Sequence, residues 1–420
     1  MTWLRRRLLL LCAAACLAGY VHAYTGALAG TPIRSDAYSY FVYLPSWLLH
    51  HDATLQTVAD DCCGGEYPAF TSIVRWRSTG RWLNAHPIGV AVLVAPFFGV
   101  AHALTRWSNL TPDGFTPYYQ HAAGLAGLLY AMLGLWILRR LLARHFSGPV
   151  TDATIVALLL GTSLFHYATF DSMWSHAFSF ALCAALFERC DAWSERSGAA
   201  TALLVGVLSG LIVLVRHTNA IIPAALVGAL VLVEPSFRRY AAIAVAAGAV
   251  TVFPQLWVYH DVTRHWIVSP YAGTPGFFWS KPVILASLAG TQKGLFFWAP
   301  LLLLAMAGLA WLPPALRRWR AAILAVFVLD TYVMASWWDW QLGASYGHRG
   351  FVDIYPLLAV GLAAAFARVA PRTVPRRTTA VVVVLLCALS MFQMLQYWHG
   401  VMPMSDVTWR QYKALFLKPW

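Results

Sequence analysis

The chain has 420 residues, of which 60% are hydrophobic and 11% are charged, and its formal net charge is +13. Because soluble domains contain about 45–50% apolar and about 25% charged residues, this composition excludes an ordinary soluble enzyme and a disordered protein. It is typical of a polytopic membrane protein, since each membrane-spanning helix needs about 20 apolar residues.

The first predicted element is an uncleaved transmembrane helix over residues 8–29, directly after Arg5, Arg6 and Arg7. Residues 21–23 are similar to a signal-peptidase site, but the apolar run continues past them, which favours a retained helix. Positive charge collects on the cytoplasmic side of membrane proteins, so the three arginines place the N-terminus in the cytoplasm.

The longest polar stretch, residues 30–84, follows and is predicted to be the first periplasmic loop. Its aromatic-rich segment 38–49 is too short to span a membrane. Because Trp and Tyr rings favour the headgroup level, this segment is predicted to form an interfacial helix.

The rest of the chain alternates apolar segments with short basic connectors. The apolar segments are 86–104, 118–138, 151–169, 174–188, 200–215, 218–233, 240–258, 294–312, 321–337, 351–367 and 378–396. They predict an all-α polytopic membrane protein with about 11–12 transmembrane segments. Residues 1–397 would form the transmembrane domain and 398–420 a short periplasmic tail. Three apolar segments, 8–29, 86–104 and 118–138, separate the N-terminal arginines from Arg139-Arg140. Both basic groups are expected in the cytoplasm, which requires an even number of crossings. Segment 86–104, with Pro87 and Pro96, is therefore predicted not to cross fully.

The positive-inside rule places the basic connectors in the cytoplasm, and most of the excess charge lies there. The sequence predicts no soluble domain on which this positive charge is concentrated, which argues against a nucleic-acid surface. Of the 7 cysteines, only Cys62 and Cys63 lie in a polar loop. Packed thiols are therefore expected rather than a disulfide framework, and no metal-ligand spacing occurs.

Polar residues at membrane depth are costly, so those on the predicted periplasmic side are candidates for function. Asp36 is either a general base or the cap of the following helix. His86 either contacts a phosphate or bonds the backbone freed by Pro87. Asp171 and His176, on a tight turn, are candidates for contacts with a sugar, and their spacing does not favour a metal.

Arginine and lysine near membrane depth need anionic partners. For Arg216, next to His217, the partner is either a bound phosphate or a neighbouring Asp. For Lys293 the alternative is a side chain that reaches the interface.

The densest polar and aromatic cluster is residues 337–350. Its aromatic rings, Tyr346 among them, offer faces for a sugar or lipid, while His348 and Arg349 offer donors for an oxyanion. Asp353 is predicted to pair with Arg349 about one helical turn away. Arg216, Lys293 and Arg349 are the candidates for binding a phosphate that gains charge during a reaction. No Walker, GxSxG or HExxH motif is present, which argues against a nucleotide-driven pump, an α/β hydrolase and a zinc protease.

The order of these clusters resembles the GT-C superfamily of membrane glycosyltransferases, near the bacterial protein-mannosyltransferase and aminoarabinose-transferase branch. The matching segments are Arg34-Ser35-Asp36, His86-Pro87, the turn carrying Asp171, and residues 293–300 and 343–349. The resemblance implies a GT-C-like fold and an inverting displacement at the periplasmic face. It also implies that Asp36 is the base and that Asp171 is a second acid near the acceptor or sugar.

The expected function is transfer of a sugar from a polyprenyl-phosphate donor to an envelope glycan, lipid or protein. A flippase or transporter of lipid-linked sugars is the alternative, and a structural subunit of an envelope complex is a third. The expected setting is a bacterial inner membrane, with lipids, donor and acceptor as partners and no nucleic acid. No cofactor is required by these residues. The sequence leaves open the sugar, the acceptor, divalent-metal dependence and the oligomeric state.

Overall fold

In a computed structural model of the protein, residues 2–26, 28–271 and 273–420 are described, with side chains from Arg7 onward. Arg5 and Arg6, which contribute to the predicted orientation of the N-terminus, lie outside the described side chains. The helices are α1 (Thr2–Thr25), α2 (Asp36–Phe41), α3 (Gln56–Cys63), α4 (Gly89–Trp107), α5 (Pro117–His145), α6 (Gly148–Leu160), α7 (Leu164–Thr169), α8 (Ser175–Asp191), α9 (Ala199–Val215), α10 (Ile221–Val233), α11 (Pro235–Arg238), α12 (Ala241–Thr263), α13 (Ile284–Ala289), α14 (Leu295–Trp298), α15 (Leu301–Gly308), α16 (Pro314–Arg317), α17 (Arg320–Ser336), α18 (Tyr355–Val369), α19 (Thr373–Trp398) and α20 (Trp409–Leu415). The strands β1 (Ile73–Arg75) and β2 (Trp82–Asn84) form one antiparallel pair.

Within the described ranges, six helical segments are long and apolar enough to cross a membrane, judged by length and composition. They are Arg7–Thr25, Gly89–Trp107, Pro117–His145, Ala241–Thr263, Arg349–Val369 and Thr373–Trp398. Shorter apolar helices lie between them: Gly148–Leu160, Ala199–Val215, His217–Val233 and Leu301–Trp311. The predicted all-α polytopic membrane fold is confirmed.

Small residues allow neighbouring helices to approach closely, as is common where lipid supplies no hydrophobic drive for packing. A Cβ on Gly206 of α9 would lie 2.2 Å from the carbonyl oxygen of Ala244 on α12. A Cβ on Gly308 of α15 would lie 1.8 Å from the carbonyl oxygen of Gly361 on α18. At both crossings only glycine fits without moving a backbone.

The loops separate into two groups, one at each end of the helix bundle. At the end called here the site face, the loops 28–35, 161–174, 216–220 and 338–348 meet. Ion pairs join them, including Arg34 with Asp171 and Arg349 with Asp36. The opposite end, the basic face, carries the arginine-containing connectors 192–198, 234–240, 312–319 and 370–372, together with the arginines near the end of α5 before the short connector 146–147.

Acids on the basic face hold its connectors together. Asp191 accepts from Arg144 at 2.6 Å, lies 2.7 Å from His145 Nε2 and is 3.4 Å from Arg318. Glu188 pairs with Arg144, and in other pairs Asp152 binds Arg139 and Glu234 binds Arg318. Much of this end is therefore fixed by charge pairing between helices that are distant in sequence.

Helix α4 is continuous through Pro96, whereas the sequence predicted a broken segment. The chain contacts the loop 30–84 before α4 and again in the connection that leads to α5. Just before its start, the Tyr43 hydroxyl donates to the His86 carbonyl at 2.9 Å. Beyond its end, Phe115 stacks on Tyr38 with 5.6 Å between ring centroids. By length and apolar composition α4 is among the helices that could cross a membrane, so the expectation that this segment does not cross fully stays a prediction.

The loop 30–84 is helical over part of the predicted interfacial segment. Helix α2 is largely buried, with Phe41 in contact with Phe98 of α4, whereas the turn Pro45–Leu49 buries only Pro45 and Ser46. Cys62 and Cys63 form a disulfide, so the expectation of free thiols is wrong for this pair, whose sulfurs are brought together by adjacency in the chain. Free thiols are present at Cys12, Cys16, Cys183, Cys190 and Cys387, as predicted.

Candidate active site

An open cavity of about 220 Å³ lies at the site face. Six segments form it: the residues around Asp36, Ser72 of the same loop, the approach to α4, the turn before α8, the loop between α12 and α13, and the cluster 337–350. Its lining is Ser35, Asp36, Ser72, His86, Trp174, Tyr271, Thr274, Trp337, Trp338, Asp339, Leu342, Gly343, Ala344 and Arg349. The walls combine several aromatic rings with two carboxylates and one guanidinium, which suits a polar ligand that also presents flat apolar faces.

Asp36 is the first residue of α2, and the residue before it has an unusual backbone conformation. Ser35 has φ of 51°, a region that non-glycine residues rarely adopt. Such a residue costs about 1–3 kcal/mol and is found preferentially at functional sites. Asp36 is not the capping residue, and its carboxylate bonds to a distant arginine instead. The turn therefore directs this carboxylate into the cavity.

The carboxylate of Asp36 is held by a cation. Arg349 Nη1 donates to Asp36 Oδ2 at 2.6 Å, and His86 Nε2 lies 3.8 Å from the same oxygen. Burial alone would disfavour the charged carboxylate. The Arg349 guanidinium and His86 outweigh that effect and hold the pKa of Asp36 well below its usual range. Asp36 is therefore ionised at neutral pH.

Three buried polar atoms on the cavity wall have no hydrogen-bond partner in the described part of the chain. They are Nε of Arg349, Nε1 of Trp174 and Nδ1 of His86. The Arg349 guanidinium also lies 4.4 Å from the Trp174 ring centroid, which fixes its plane. Because buried polar groups are nearly always paired, these atoms make the cavity wall a candidate binding site for a polar ligand.

Asp171 lies behind the cavity and not in its lining. It accepts from Arg34 at 2.7 Å and lies 2.8 Å from His166 Nε2. Trp398 donates to His166 Nδ1, so the neutral tautomer with the proton on Nε2 satisfies both contacts. Burial opposes ionisation of Asp171, but Arg34 and His166 outweigh it and lower its pKa. This chain of bonds ties the first loop to α7 and α19.

Asp353 contacts two other predicted site residues, His176 and Arg216. It lies 2.9 Å from His176 Nδ1, and it accepts from Arg216 at 3.0 Å and from Asn219 at 2.8 Å. For Arg216 the structure thus supplies the neighbouring Asp that the sequence left as one of two possible partners. The side chain of Arg216 is 16% exposed, whereas that of Asp353 is fully buried.

The predicted pair of Asp353 with Arg349 is wrong. Residues Arg349–Ile354 form a 3₁₀ turn, with about three residues per turn, so positions four apart point in different directions. Arg349 therefore faces Asp36, and Asp353 faces α8 and α9.

The remaining predicted site residues support the cavity from outside its lining. His217 Nε2 lies 2.7 Å from the Tyr259 hydroxyl. Lys293 Nζ donates to the Ser345 carbonyl and, at 2.6 Å, to the Met404 carbonyl. Burial lowers the pKa of Lys293 to about 7. The Tyr346 hydroxyl donates to the Ser390 carbonyl at 2.8 Å, and His348 Nε2 lies 2.9 Å from the Ser287 hydroxyl.

The cavity contains residues that the sequence did not single out as site residues. Trp174 and Asp339 lie within polar clusters that the sequence marked, so their surroundings carried a signal. Tyr271 lies on the long loop between α12 and α13 and contacts Trp337 with 5.0 Å between centroids. No local feature of the sequence distinguishes Tyr271. Among the described residues, no group of three or more His, Cys, Asp or Glu is arranged to hold a metal ion.

The fold and the site define an α-helical multi-pass membrane protein with a carboxylate–guanidinium pair in an aromatic-lined cavity at one face. No model of a known protein family matches the chain, and no curated protein matches it. Among solved structures, it is similar to ArnT from Cupriavidus metallidurans in the apo state, with a TM-score of 0.48 and 14% sequence identity. The alignment covers 86% of this chain and 63% of that one, so the chain spans less than two thirds of that neighbour's length.

Proposed function

We propose that the protein is a GT-C-type glycosyltransferase that moves a sugar from a polyprenyl-phosphate donor to an envelope acceptor. The observation that carries the proposal is the pair of Asp36 and Arg349, 2.6 Å apart, on the wall of an open cavity lined by aromatic rings. A carboxylate base beside a cation meets the two needs of sugar transfer from a phosphate, which are an activated nucleophile and a stabilised leaving group.

The proposed reaction is a single displacement. Asp36 takes the proton from an acceptor hydroxyl or amine, and the freed electron pair attacks the anomeric carbon of the sugar. The bond from that carbon to the phosphate oxygen breaks, and its electrons remain on the phosphate. The products are an inverted glycoside and a polyprenyl phosphate, and the proton on Asp36 passes to water.

Arg349 has two roles in this proposal. In the free protein it neutralises Asp36, whose lowered pKa makes it a weak base. A donor phosphate brings a competing anion to the same guanidinium, whose Nε has no partner in the described structure. Movement of Arg349 toward the phosphate would strengthen the base and stabilise the leaving group together. Arg216 and Lys293, which contact Asp353 and backbone carbonyls, position the site around this pair.

We place the site face in the periplasm and the basic face in the cytoplasm, because arginine-rich connectors are retained on the cytoplasmic side. The aromatic walls, which include Trp174, Trp337 and Trp338, would contact the sugar or the first prenyl units. The acceptor would then be an envelope glycan, lipid or protein exposed at that face.

The test is a transfer assay with detergent-solubilised protein. Polyprenyl-phosphate sugars extracted from host membranes serve as donor, and an envelope fraction from cells lacking the gene serves as acceptor. Sugar transfer without a sealed membrane supports the enzyme and excludes a pure flippase. Movement of lipid-linked sugar across proteoliposomes, with no transfer in detergent, would support the flippase instead.

A further inference from the structure

A second cavity lies far from Asp36, at the basic face. It is a cleft of about 480 Å³ between α6, α18 and α19. Its walls are almost entirely apolar and are formed by Pro149, Val150, Ala153, Val156, Ala157, Leu160, Phe366, Val369, Ala370, Arg376, Thr379, Ala380, Val383, Val384 and Cys387. The cleft begins beside the connector 370–372 and continues along the helices toward the interior of the membrane.

The cleft exists because α19 packs on the protein only along its second half. All of its buried residues lie from Ser390 onward, while the first half is exposed or half-buried. In water such an apolar cleft would be unfavourable, but here the surrounding medium is lipid. An acyl chain matches these walls, because the only hydrogen-bonding side chains in the lining are Thr379, Arg376 and Cys387, whose thiol contacts the Ala157 carbonyl.

The mouth of the cleft has a concentration of arginines without acidic partners, although isolated arginines such as Arg196 and Arg239 elsewhere on the basic face also have no acid beside them among the described residues. Elsewhere on that face, Arg139, Arg144 and Arg318 pair with acids. By contrast, the four arginines around the 370–372 connector have no acidic partner in the described part of the chain: Arg368, Arg372, Arg376 and Arg377. Arg376 itself lines the cleft. The mouth is therefore complementary to an anionic group.

We propose that this cleft is a binding site for an anionic bilayer phospholipid. An acyl chain would lie along the apolar walls, and the phosphate would contact Arg376, with Arg372 and Arg377 within reach on the same connector and helix start. Basic pockets between membrane helices are suited to this kind of ligand. The site is independent of the proposed transferase activity, because it opens at the opposite face from Asp36 and contributes no residue to that cavity.

The test measures lipid retention by purified protein with native mass spectrometry and thermal melting in detergent. The probes are phosphatidylglycerol, phosphatidylcholine and polyprenyl phosphate. Wild type is expected to retain phosphatidylglycerol in preference to phosphatidylcholine. Arg376→Gln should weaken that binding about five-fold, the effect expected for one arginine near an anionic headgroup. The matched control is Arg196→Gln, an exposed arginine on the same face away from the cleft.

A second pair of variants tests the cleft itself. Ala380→Trp fills it, whereas Val381→Trp places the same ring on the neighbouring exposed position outside the lining. Loss of phosphatidylglycerol only with Ala380→Trp supports the site. Equal retention of phosphatidylglycerol and phosphatidylcholine, or equal behaviour of the two tryptophan variants, would overturn it. Displacement of phosphatidylglycerol from this cleft by a lower concentration of polyprenyl phosphate would also overturn the assigned occupant.

Discussion

Asp36→Asn is the substitution that most directly separates the chemistry of the site from its architecture. Asparagine has nearly the same shape and keeps an oxygen that can accept from Arg349, but it cannot take a proton from an acceptor. The side chains of Asp36 and Arg349 are 21% and 13% exposed, so the variant loses a charge-assisted bond that is partly open to solvent. Such a bond contributes about 1.5–3 kcal/mol, which lowers stability without preventing insertion.

The effect on catalysis should be much larger. A positioned general base contributes about 10²–10⁴-fold in rate, equivalent to about 2.7–5.5 kcal/mol of transition-state stabilisation. We therefore expect the kcat of Asp36→Asn to fall by at least about 100-fold, while the melting temperature decreases moderately. Because Arg349 is released from its negative partner, donor binding should be retained or strengthened.

The measurement is the rate of sugar transfer by purified protein in detergent, together with the KM for donor and the melting temperature. Asp61→Asn is the matched control, since it removes an exposed carboxylate from the same loop outside the cavity. Full activity of Asp36→Asn would refute the assignment of the base. A loss of activity that follows the loss of folded protein would also refute it, because the effect would then be structural.

Further predictions concern the cation, the basic face and the buried lysine. Arg349→Gln should lower kcat about 10²–10³-fold, because a fixed charge on the leaving group is lost, and Arg349→Lys should recover part of that rate; a Lys variant no better than Gln would argue against a charge role. Asp191→Asn should destabilise the fold by about 3–5 kcal/mol, since Arg144, His145 and Arg318 lose the buried anion that they share, with kcat per folded molecule unchanged in the transfer assay. For Lys293, burial lowers the pKa to about 7, so the unfolded chain binds the additional proton between about pH 7 and 10 and stability rises with pH in that window. Lys293→Met should remove this rise in melting temperature, and an unchanged pH profile would contradict the burial argument.

The fold class was predictable because membrane helices are recognised from composition and basic connectors alone. For segment 86–104, composition and charge were not sufficient to predict the local structure. Charge parity predicts that it does not cross fully, whereas by length and apolar composition α4 is among the helices that could cross a membrane. The same parity could not indicate that Pro96 lies within a continuous helix, because a neighbouring helix can support a proline locally.

The site was predictable one residue at a time but not as a set of pairs. Asp36 and Arg349 were both candidates, yet they are 313 residues apart, and no local pattern joins them. For Arg216 the sequence offered a phosphate or a neighbouring Asp, and only packing of α9 against the turn at Asp353 brings that Asp within reach. Long-range charge pairs depend on the tertiary structure. A single sequence therefore identifies the charged residues but not which of them pair with each other.

The central claim is that this protein attaches a sugar at the face where Asp36 lies. It is tested most directly by mass spectrometry of envelope glycans and lipids from cells that express either wild-type protein or Asp36→Asn at equal levels. We expect a component whose mass includes an added sugar in wild-type cells, absent from the Asp36→Asn cells, where the polyprenyl-phosphate sugar accumulates instead. Identical envelope profiles from the two strains would contradict it.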